Sequence, residues 1–372
     1  MKSILFLTHT NNNCCAVKLN GIYASARSRG WTVNVVEFGC SALSITEAVA
    51  ILRPDGIIFE GGRLSEKVNL RPLRNIPSVY LDTDFNVPGG AIAIRSDAKA
   101  IANLAADELL ASAPAETAFF TQHPHKEWSR QRERAFRERM LAANMRFRTV
   151  ENTMSLAGLK RPFAVFAATD PAAAMIFRSA AILGLNCPRD FTLVSVDNDP
   201  LFCENAQPKV SSIEQDFFGT GVAAVETLER QFRHDVSRSV PILIPPLRLV
   251  RRASSVRPRT DGPIPQRIAA CIEVHALEGI SVADIVAQVG CSRRTAETLF
   301  RAAFGHSINE AILRRKFLEV ERLLANPHQI LEPIANLCGW KSSAHLKRSF
   351  KQRYGLTMSE WRAQALAKHS RT

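Results

Sequence analysis

The stretch Ser281-Val282-Ala283-Asp284-Ile285-Val286-Ala287-Gln288-Val289-Gly290-Cys291-Ser292-Arg293-Arg294-Thr295-Ala296-Glu297-Thr298-Leu299-Phe300 decides how the C-terminal third folds. Ser281 with an acid three residues on has the form of a capping box, in which hydroxyl and carboxylate each accept a free backbone N–H at a helix start. Ile285, Val286 and Val289 give the helix that follows an apolar face. Gly290-Cys291 ends it, because glycine turns through the left-handed region without strain. Ser292 then caps a second helix, in which Ala296, Leu299, Phe300 and Ala303 form one apolar stripe and Arg293, Arg294, Glu297 and Thr298 point elsewhere. Two short helices joined by a tight turn, the second polar on its outer side, is the layout that lays a helix into the DNA major groove.

The pattern returns about fifty residues later. Ile334, Ala335 and Leu337 form a helix face, Gly339 turns the chain, and Ser342 opens a further helix. Leu346 and Phe350 are its core side, with Ser343, His345, Lys347 and Arg348 outward. Ser292/Ser342, Phe300/Phe350, Phe304/Tyr354 and Gly305/Gly355 match at an offset of 50. Between the two units, Ser307-x-x-Glu310 is another capping box and Ile308–Leu324 has helical periodicity. One such unit is a weak signal, since any small helical bundle contains a glycine turn. Two copies joined by a long helix point to double-stranded DNA as a partner.

Charge is placed to match. From Arg251 to Thr372 there are 20 Lys/Arg against 10 Asp/Glu, whereas the first 250 residues carry 28 against 25. A basic segment joined to a near-neutral body suggests one part that meets a polyanion and one that does not. The eight cysteines include no C-x-x-C pair and no Cys/His cluster, so neither a disulfide framework nor a metal site is expected. Met1–Leu7 is too short an apolar run for a signal-peptide core, and nothing approaches a membrane span, so a cytoplasmic protein is expected.

Upstream of Arg248 the chain alternates β-branched runs with helical patterns. Strands are expected at Ser3–Leu7, Thr32–Glu37, Gly56–Phe59, Ser78–Leu81, Ala91–Ile94, Thr117–Phe120, Phe163–Ala167 and Thr192–Val196. Helices are expected at Val17–Arg29, Ile45–Leu52, Ala98–Ala111 (capped by Asp97), Gln131–Ala143, Ala172–Leu183 and Gly219–Arg233. Such alternation makes parallel sheets covered by helices, and some 250 residues of it make two similar lobes with a cleft between them. Arg248–Pro265, rich in Arg, Ser, Pro and Gly, reads as a linker, with 251–264 as its core. The fold class expected is therefore a two-lobed α/β body over 1–250 and an all-α domain with two helix-turn-helix units over 265–372.

The segment from about Pro265 to Arg362 resembles the DNA-binding domain of the AraC/XylS family. The resemblance is carried by Ile334-Ala335-x-x-Cys338-Gly339-Trp340-x-Ser342, then Leu346-x-x-x-Phe350-Lys351, Gly355 and Glu360-Trp361-Arg362. Met358 departs from it, standing where that family has Pro before the last helix. The resemblance implies two reading helices in successive major-groove segments. Arg293, Arg294, Glu297 and Thr298 are then candidates on the first, and Ser342, Ser343, His345, Lys347 and Arg348 on the second. Arg and Lys suit guanine O6/N7, and Glu accepts from cytosine N4, whereas a basic residue on phosphate only positions the protein.

The body resembles the sugar-binding body of LacI-type repressors and periplasmic binding proteins. Val194-Ser195-Val196-Asp197-Asn198 is similar to a strand and acidic turn of that family, and Ala167-Ala168-Thr169-Asp170 to a strand end bearing a ligand contact. Val210–Asp216 leading into Gly219-x-Gly221 is similar to a crossover between lobes, and Pro245–Arg252 to the last strand. This implies a first lobe of about 1–117 plus 216–240 and a second of about 118–213. Together with Glu127-Trp128-Ser129-x-x-Arg132-Glu133-x-Ala135-Phe136-Arg137, the combination with an AraC-type tail resembles the xylose-operon regulators. A sugar needs planar donors and carboxylate acceptors for its hydroxyls and an aromatic face for its C–H side. Arg132, Asp170, Asp197 and Asn198 are candidates for the first need and Trp128 for the second, with His9 and Asn11 at the first strand end. Arg132 also sits among Arg130, Arg134, Arg137 and Arg139, a pattern equally consistent with a solvated helix face.

The function expected is a sugar-controlled transcription regulator that needs no cofactor, works as a homodimer on operator half-sites and, if an activator, meets RNA polymerase. A transport-type binding protein and a sugar-processing enzyme using Asp170 and Asp197 are the alternatives.

Overall fold

A computed structural model describes residues 1–8, 13–37, 44–61, 70–83, 87, 91–233, 241–256, 262–325, 331 and 334–369. It divides into two compact units, Met1–Val250 and Arg251–Thr372. The first unit begins β1 (Ser3–Thr8), α1 (Asn13–Ser28), β2 (Thr32–Glu37), α2 (Ile45–Leu52), β3 (Gly56–Glu60), β4 (Ser78–Leu81), β5 (Ile92–Ser96). It continues α3 (Ala98–Ala111), β6 (Glu116–Phe120), α4 (Glu127–Ala142), β7 (Phe147–Val150), β8 (Phe163–Ala167), α5 (Asp170–Ile182), β9 (Phe191–Val196). It closes with α6 (Pro200–Cys203), β10 (Ser211–Gln215), α7 (Phe217–Phe232), β11 (Ile242–Ile244) and β12 (Pro246–Val250).

These strands form two six-stranded sheets, β11-β5-β4-β3-β1-β2 and β12-β10-β9-β8-β6-β7, parallel throughout except for β12 against β10. The continuous apolar runs explain this: Gly56–Glu60 and Phe163–Ala167 are buried at every residue, as strands covered on both faces must be. The two α/β lobes follow the expected class. Their boundary does not follow the expected one at 117. The apolar side of α3, Ile101, Ala102, Ala105, Ala106 and Leu109, packs with Phe119, Phe166 and Val194 under the second sheet, so the chain changes lobe at Asp97. It returns after β10, and it crosses a last time between β11 and β12, which lie in different sheets. Asp97 caps α3 as expected, its Oδ1 accepting from Ala100 N.

The second unit contains α8 (Ile264–His275), α9 (Val282–Val289), α10 (Arg293–Phe304), α11 (Ile308–Ala325), α12 (Ile334–Leu337), α13 (Ser343–Tyr354) and α14 (Met358–His369). It has two small cores. Ile268, Ile285, Phe300 and Ile312 belong to one, and Phe317, Trp340, Leu346 and Phe350 to the other, with α11 contributing to both. The proposed linker is shorter than read, because Arg248–Val250 complete β12 and Ser254 and Ser255 are buried. Among the described residues no helix is long and apolar enough to cross a membrane.

Candidate functional site

A cleft of about 550 Å³ opens where the strand ends of the two sheets face each other, the position at which parallel α/β sheets bind ligands. Helix α4 starts at Glu127, four residues before the expected start, which puts Trp128 and Arg132 on one face, a turn apart. The Arg132 guanidinium stacks on the Trp128 ring at 4.7 Å, so one face of that ring is taken by the protein itself. Arg132 is 3% exposed. It donates from Nη1 to the carbonyl oxygen of Ala168 at 2.5 Å, while its buried Nε has no acceptor among the described residues. Burial lowers its pKa, opposed by Asp197, Asp82 and Asp170. The solvated-face reading of this arginine is therefore wrong: its neighbours Arg130 and Arg134 point out and Arg132 points in.

Asp197 ends β9 in a turn where it and Asn198 both have positive φ, 109° and 53°. Non-glycine residues in such conformations cost of order 1–3 kcal/mol and concentrate at functional sites. Asp197 lines the cleft and accepts from Gln215 Nε2 at 2.5 Å through Oδ1. Burial and the nearby Asp170 push its pKa up to about 7, against the pull of Arg132, Gln215 and Lys18. Asn198 is not a lining residue, and its backbone N–H is held by Ser212 Oγ at 3.0 Å.

Asp170 is a correction to the sequence reading. It is fully buried below the cleft floor, its Oδ1 accepting from Ser195 Oγ at 2.5 Å and Ser212 Oγ at 2.6 Å and its Oδ2 from the Asp199 N–H at 2.7 Å. It ties β9, β10 and the following loop together and does not line the cavity. Thr169, in front of it, caps α5 and exchanges hydrogen bonds with the Gln122 amide. His9 and Asn11 lie outside the described residues.

The opposite wall was not read from sequence. Lys18 of α1 donates to Glu60 Oε2 at 2.7 Å and Asp82 Oδ2 at 2.6 Å. Burial alone would lower the Lys18 pKa, but the two carboxylates hold it well above the usual lysine range. Asp82, where burial acts upward, is held below the carboxylate range by Lys18. Both carboxylates stand at C-terminal strand ends, directly after Gly56-Ile57-Ile58-Phe59 and Ser78-Val79-Tyr80-Leu81, and that position was the available signal.

Asp197 predicts a pH effect. Its folded pKa of about 7 lies above the ordinary 3.8, so the folded state keeps a proton that the unfolded chain loses. Its contribution to stability is complete below about pH 4, declines as pH rises toward 7 and levels off above. Urea unfolding of wild type and Asp197→Asn is expected to show the difference between them growing over that window, and parallel curves would contradict the assignment.

In the second unit the repeat at an offset of 50 is structural. Ser292 and Ser342 are both N-caps, accepting from Thr295 N at 3.1 Å and His345 N at 3.2 Å. Gly305 and Gly355 are both left-handed C-caps, and Phe300–Phe304 and Phe350–Tyr354 are paired rings. Ser281 and Asp284 form the expected capping box. Arg293, Arg294, Thr298, His345, Lys347 and Arg348 are exposed, and Ser343 is half-buried. Glu297 is half-buried and its Oε2 accepts from the Ile308 N–H at 3.4 Å, so it faces α11 and not the open side. Leu299, Ala303 and Leu337, read as core, are exposed.

Residues 93–255 match the family described as a periplasmic binding protein-like domain, and residues 285–364 a helix-turn-helix domain. The xylose operon regulatory protein of Escherichia coli (strain K12) is 28% identical over 255 residues, and the match spans 64% of this chain and 64% of that protein. The xylose operon regulatory protein of Haemophilus influenzae is 24% identical over 363 residues, 92% of each chain. Among solved structures, the xylose-binding transcription activator xylR is 22% identical with a TM-score of 0.59, covering 97% of this chain and 98% of that one. A LacI family transcriptional regulator from Enterococcus faecium with bound ribose is 21% identical with a TM-score of 0.55, covering 68% and 98%. This chain therefore carries a periplasmic binding protein-like match followed by a helix-turn-helix match, and over nearly its whole length it is similar to a xylose operon regulatory protein.

Proposed function

We propose that this chain is a DNA-binding transcription regulator controlled by a small sugar held between the lobes of its body. One observation carries the reading: Arg132, buried in a cleft with its Nε lacking an acceptor among the described residues, shares that cleft with Asp197 and Lys18 on the same chain as two capped helix-turn-helix units. A buried, unsatisfied donor costs free energy that a ligand oxygen recovers. The relatives are named for xylose, so D-xylose is the first sugar to test. Closure of the cleft follows from tighter binding to the closed state and changes how two protomers present their DNA-binding units. A homodimer in the cytoplasm, without a cofactor or a catalytic step, completes the reading, with RNA polymerase as a further partner if transcription rises.

Their exposure supports Arg293, Arg294 and Thr298 as candidate readers on α10, and His345, Lys347 and Arg348 on α13, with Ser342 and Ser343 at its start. The test is selection from a random double-stranded DNA pool by the full-length chain, with and without D-xylose. Two separated base blocks, affinity falling steeply with salt, and a sugar-dependent change in affinity are expected. DNA binding that ignores every pentose and hexose would sink the sugar control, and no enrichment would sink the DNA reading. In the selected sequence, Arg294→Ala is expected to cost about 1–3 kcal/mol and relax preference at one position. A loss uniform across sequences would place Arg294 on phosphate.

A further inference from the structure

We propose that Lys18 is the residue by which the first lobe reads the ligand, donating one N–H to a ligand hydroxyl oxygen and so deciding which hydroxyl pattern the cleft accepts. This rests on reading the cleft as a sugar site.

Lys18 lies in the middle of α1 and lines the cavity, yet it is only 3% exposed. A lone lysine so placed would give up its proton. Here the Glu60 and Asp82 carboxylates, at 2.7 and 2.6 Å, keep the ammonium charged and fix its orientation. Two buried charges and a half-buried one are a poor way to gain stability, because an apolar trio of the same volume often does as well or better. An ammonium has three donors, and the carboxylates take two of them. The tetrahedral geometry directs the third away from both. Among the described residues, the remaining contact of the ammonium is the face of Phe217, at 5.4 Å, and Phe217 also lines the cavity.

The depth of Lys18 in the cleft is set by the backbone. Helices α1 and α7 touch so closely that a Cβ on Gly221 would stand 2.1 Å from the Lys18 carbonyl oxygen. The same α7 begins where the chain crosses between lobes. Lys18 is thus a rigidly mounted donor on the first lobe, as Arg132 is on the second. A site built to hydrogen-bond a hydroxyl discriminates strongly against the analogue that lacks it, because the site's own group is then left unsatisfied. An amino sugar protonated at that position is rejected for a second reason, its charge.

The test is calorimetry on the full-length protein with D-xylose and its 1-, 2-, 3- and 4-deoxy analogues, comparing wild type with Lys18→Met. In wild type one deoxy analogue is expected to bind ten- to a hundredfold more weakly than D-xylose, and in Lys18→Met that difference falls below about threefold. Lys18→Met leaves Glu60 and Asp82 without their cation, so Lys18→Met/Glu60→Gln is run beside it. If Lys18→Met weakens D-xylose and every analogue by the same factor, or both variants fail to fold, Lys18 is a structural ion pair and the proposal is wrong. If wild type binds no pentose or hexose, the sugar reading itself falls and takes this proposal with it.

Discussion

In the Arg132→Ala protein, sugar affinity is expected to fall ten- to a hundredfold while DNA affinity without sugar stays as in wild type. A charge-assisted hydrogen bond to a buried hydroxyl contributes about 1.5–3 kcal/mol, and each 1.4 kcal/mol is tenfold in affinity. Arg132 has the donors for this, since one of its N–H groups goes to Ala168 and the buried Nε meets no acceptor among the described residues. The same substitution removes the cation stacked on Trp128 and the hand on the Ala168 carbonyl, so some loss of melting temperature accompanies it. Arg132→Met, which keeps most of the side-chain volume, separates the two effects: it is expected to restore melting and not sugar binding. Trp128→Ala is expected to weaken binding less, because only one ring face is open to a ligand. Unchanged sugar affinity in Arg132→Ala, measured by calorimetry, would reduce this arginine to a strut for the end of β8.

Gly339→Ala is expected to disable the second reading helix. Gly339 has φ 66°, and a Cβ there would lie 2.6 Å from the Leu277 carbonyl oxygen and 2.7 Å from the Gly279 nitrogen. Both obstacles are backbone, so no side chain can swing aside. The left-handed conformation alone costs an alanine about 1–2 kcal/mol, and the clash adds to it, for a total of roughly 2–4 kcal/mol. The Gly339 carbonyl also accepts from Lys316 Nζ at 2.6 Å, so the turn is held from two sides and cannot drift to relieve the strain. Urea unfolding is expected to show the helical unit giving way earlier, DNA affinity to fall more than tenfold, and sugar affinity to stay unchanged. Wild-type DNA binding in this variant would mean that the second unit contributes nothing to recognition.

What could be read in advance follows from how local the cause is. Ile45–Leu52, Ser78–Leu81 and Ala98–Ala111 match their sequence-based limits to the residue, because Asp97 and Ser44 cap helices from next door and apolar runs mark buried strands. Three of the cleft residues, Trp128, Arg132 and Asp197, were legible as motif positions. Lys18, Glu60 and Asp82 were not read, because they come from three elements and only the strand-end position of the two carboxylates set them apart from ordinary surface charges. Asp170 shows the converse. Its place at a strand end was visible, but its role depends on hydroxyls at Ser195 and Ser212 and an N–H at Asp199, which only the folded chain brings to it. The lobe boundary was misplaced for the same reason, since nothing within Ala98–Ala111 says which sheet it covers.

Helix α11 carries a constraint of another kind. Its first turns, at Ile308 and Ile312, belong to one small core, and Phe317, Val320, Leu323 and Leu324 belong to the other. One unbroken helix of 18 residues therefore acts as a mechanical phase-setter between two readers. Adding or deleting a residue between Ile312 and Phe317 turns the second core by about 100° about the helix axis and shifts it by about 1.5 Å. Length changes in this helix are then effectively quantised. A step of about seven residues, two turns, restores the facing to within roughly 20° and moves the cores apart by about 10 Å, close to three base pairs of duplex rise. As far as α11 sets it, the spacing between the two cores changes in such strides, not residue by residue.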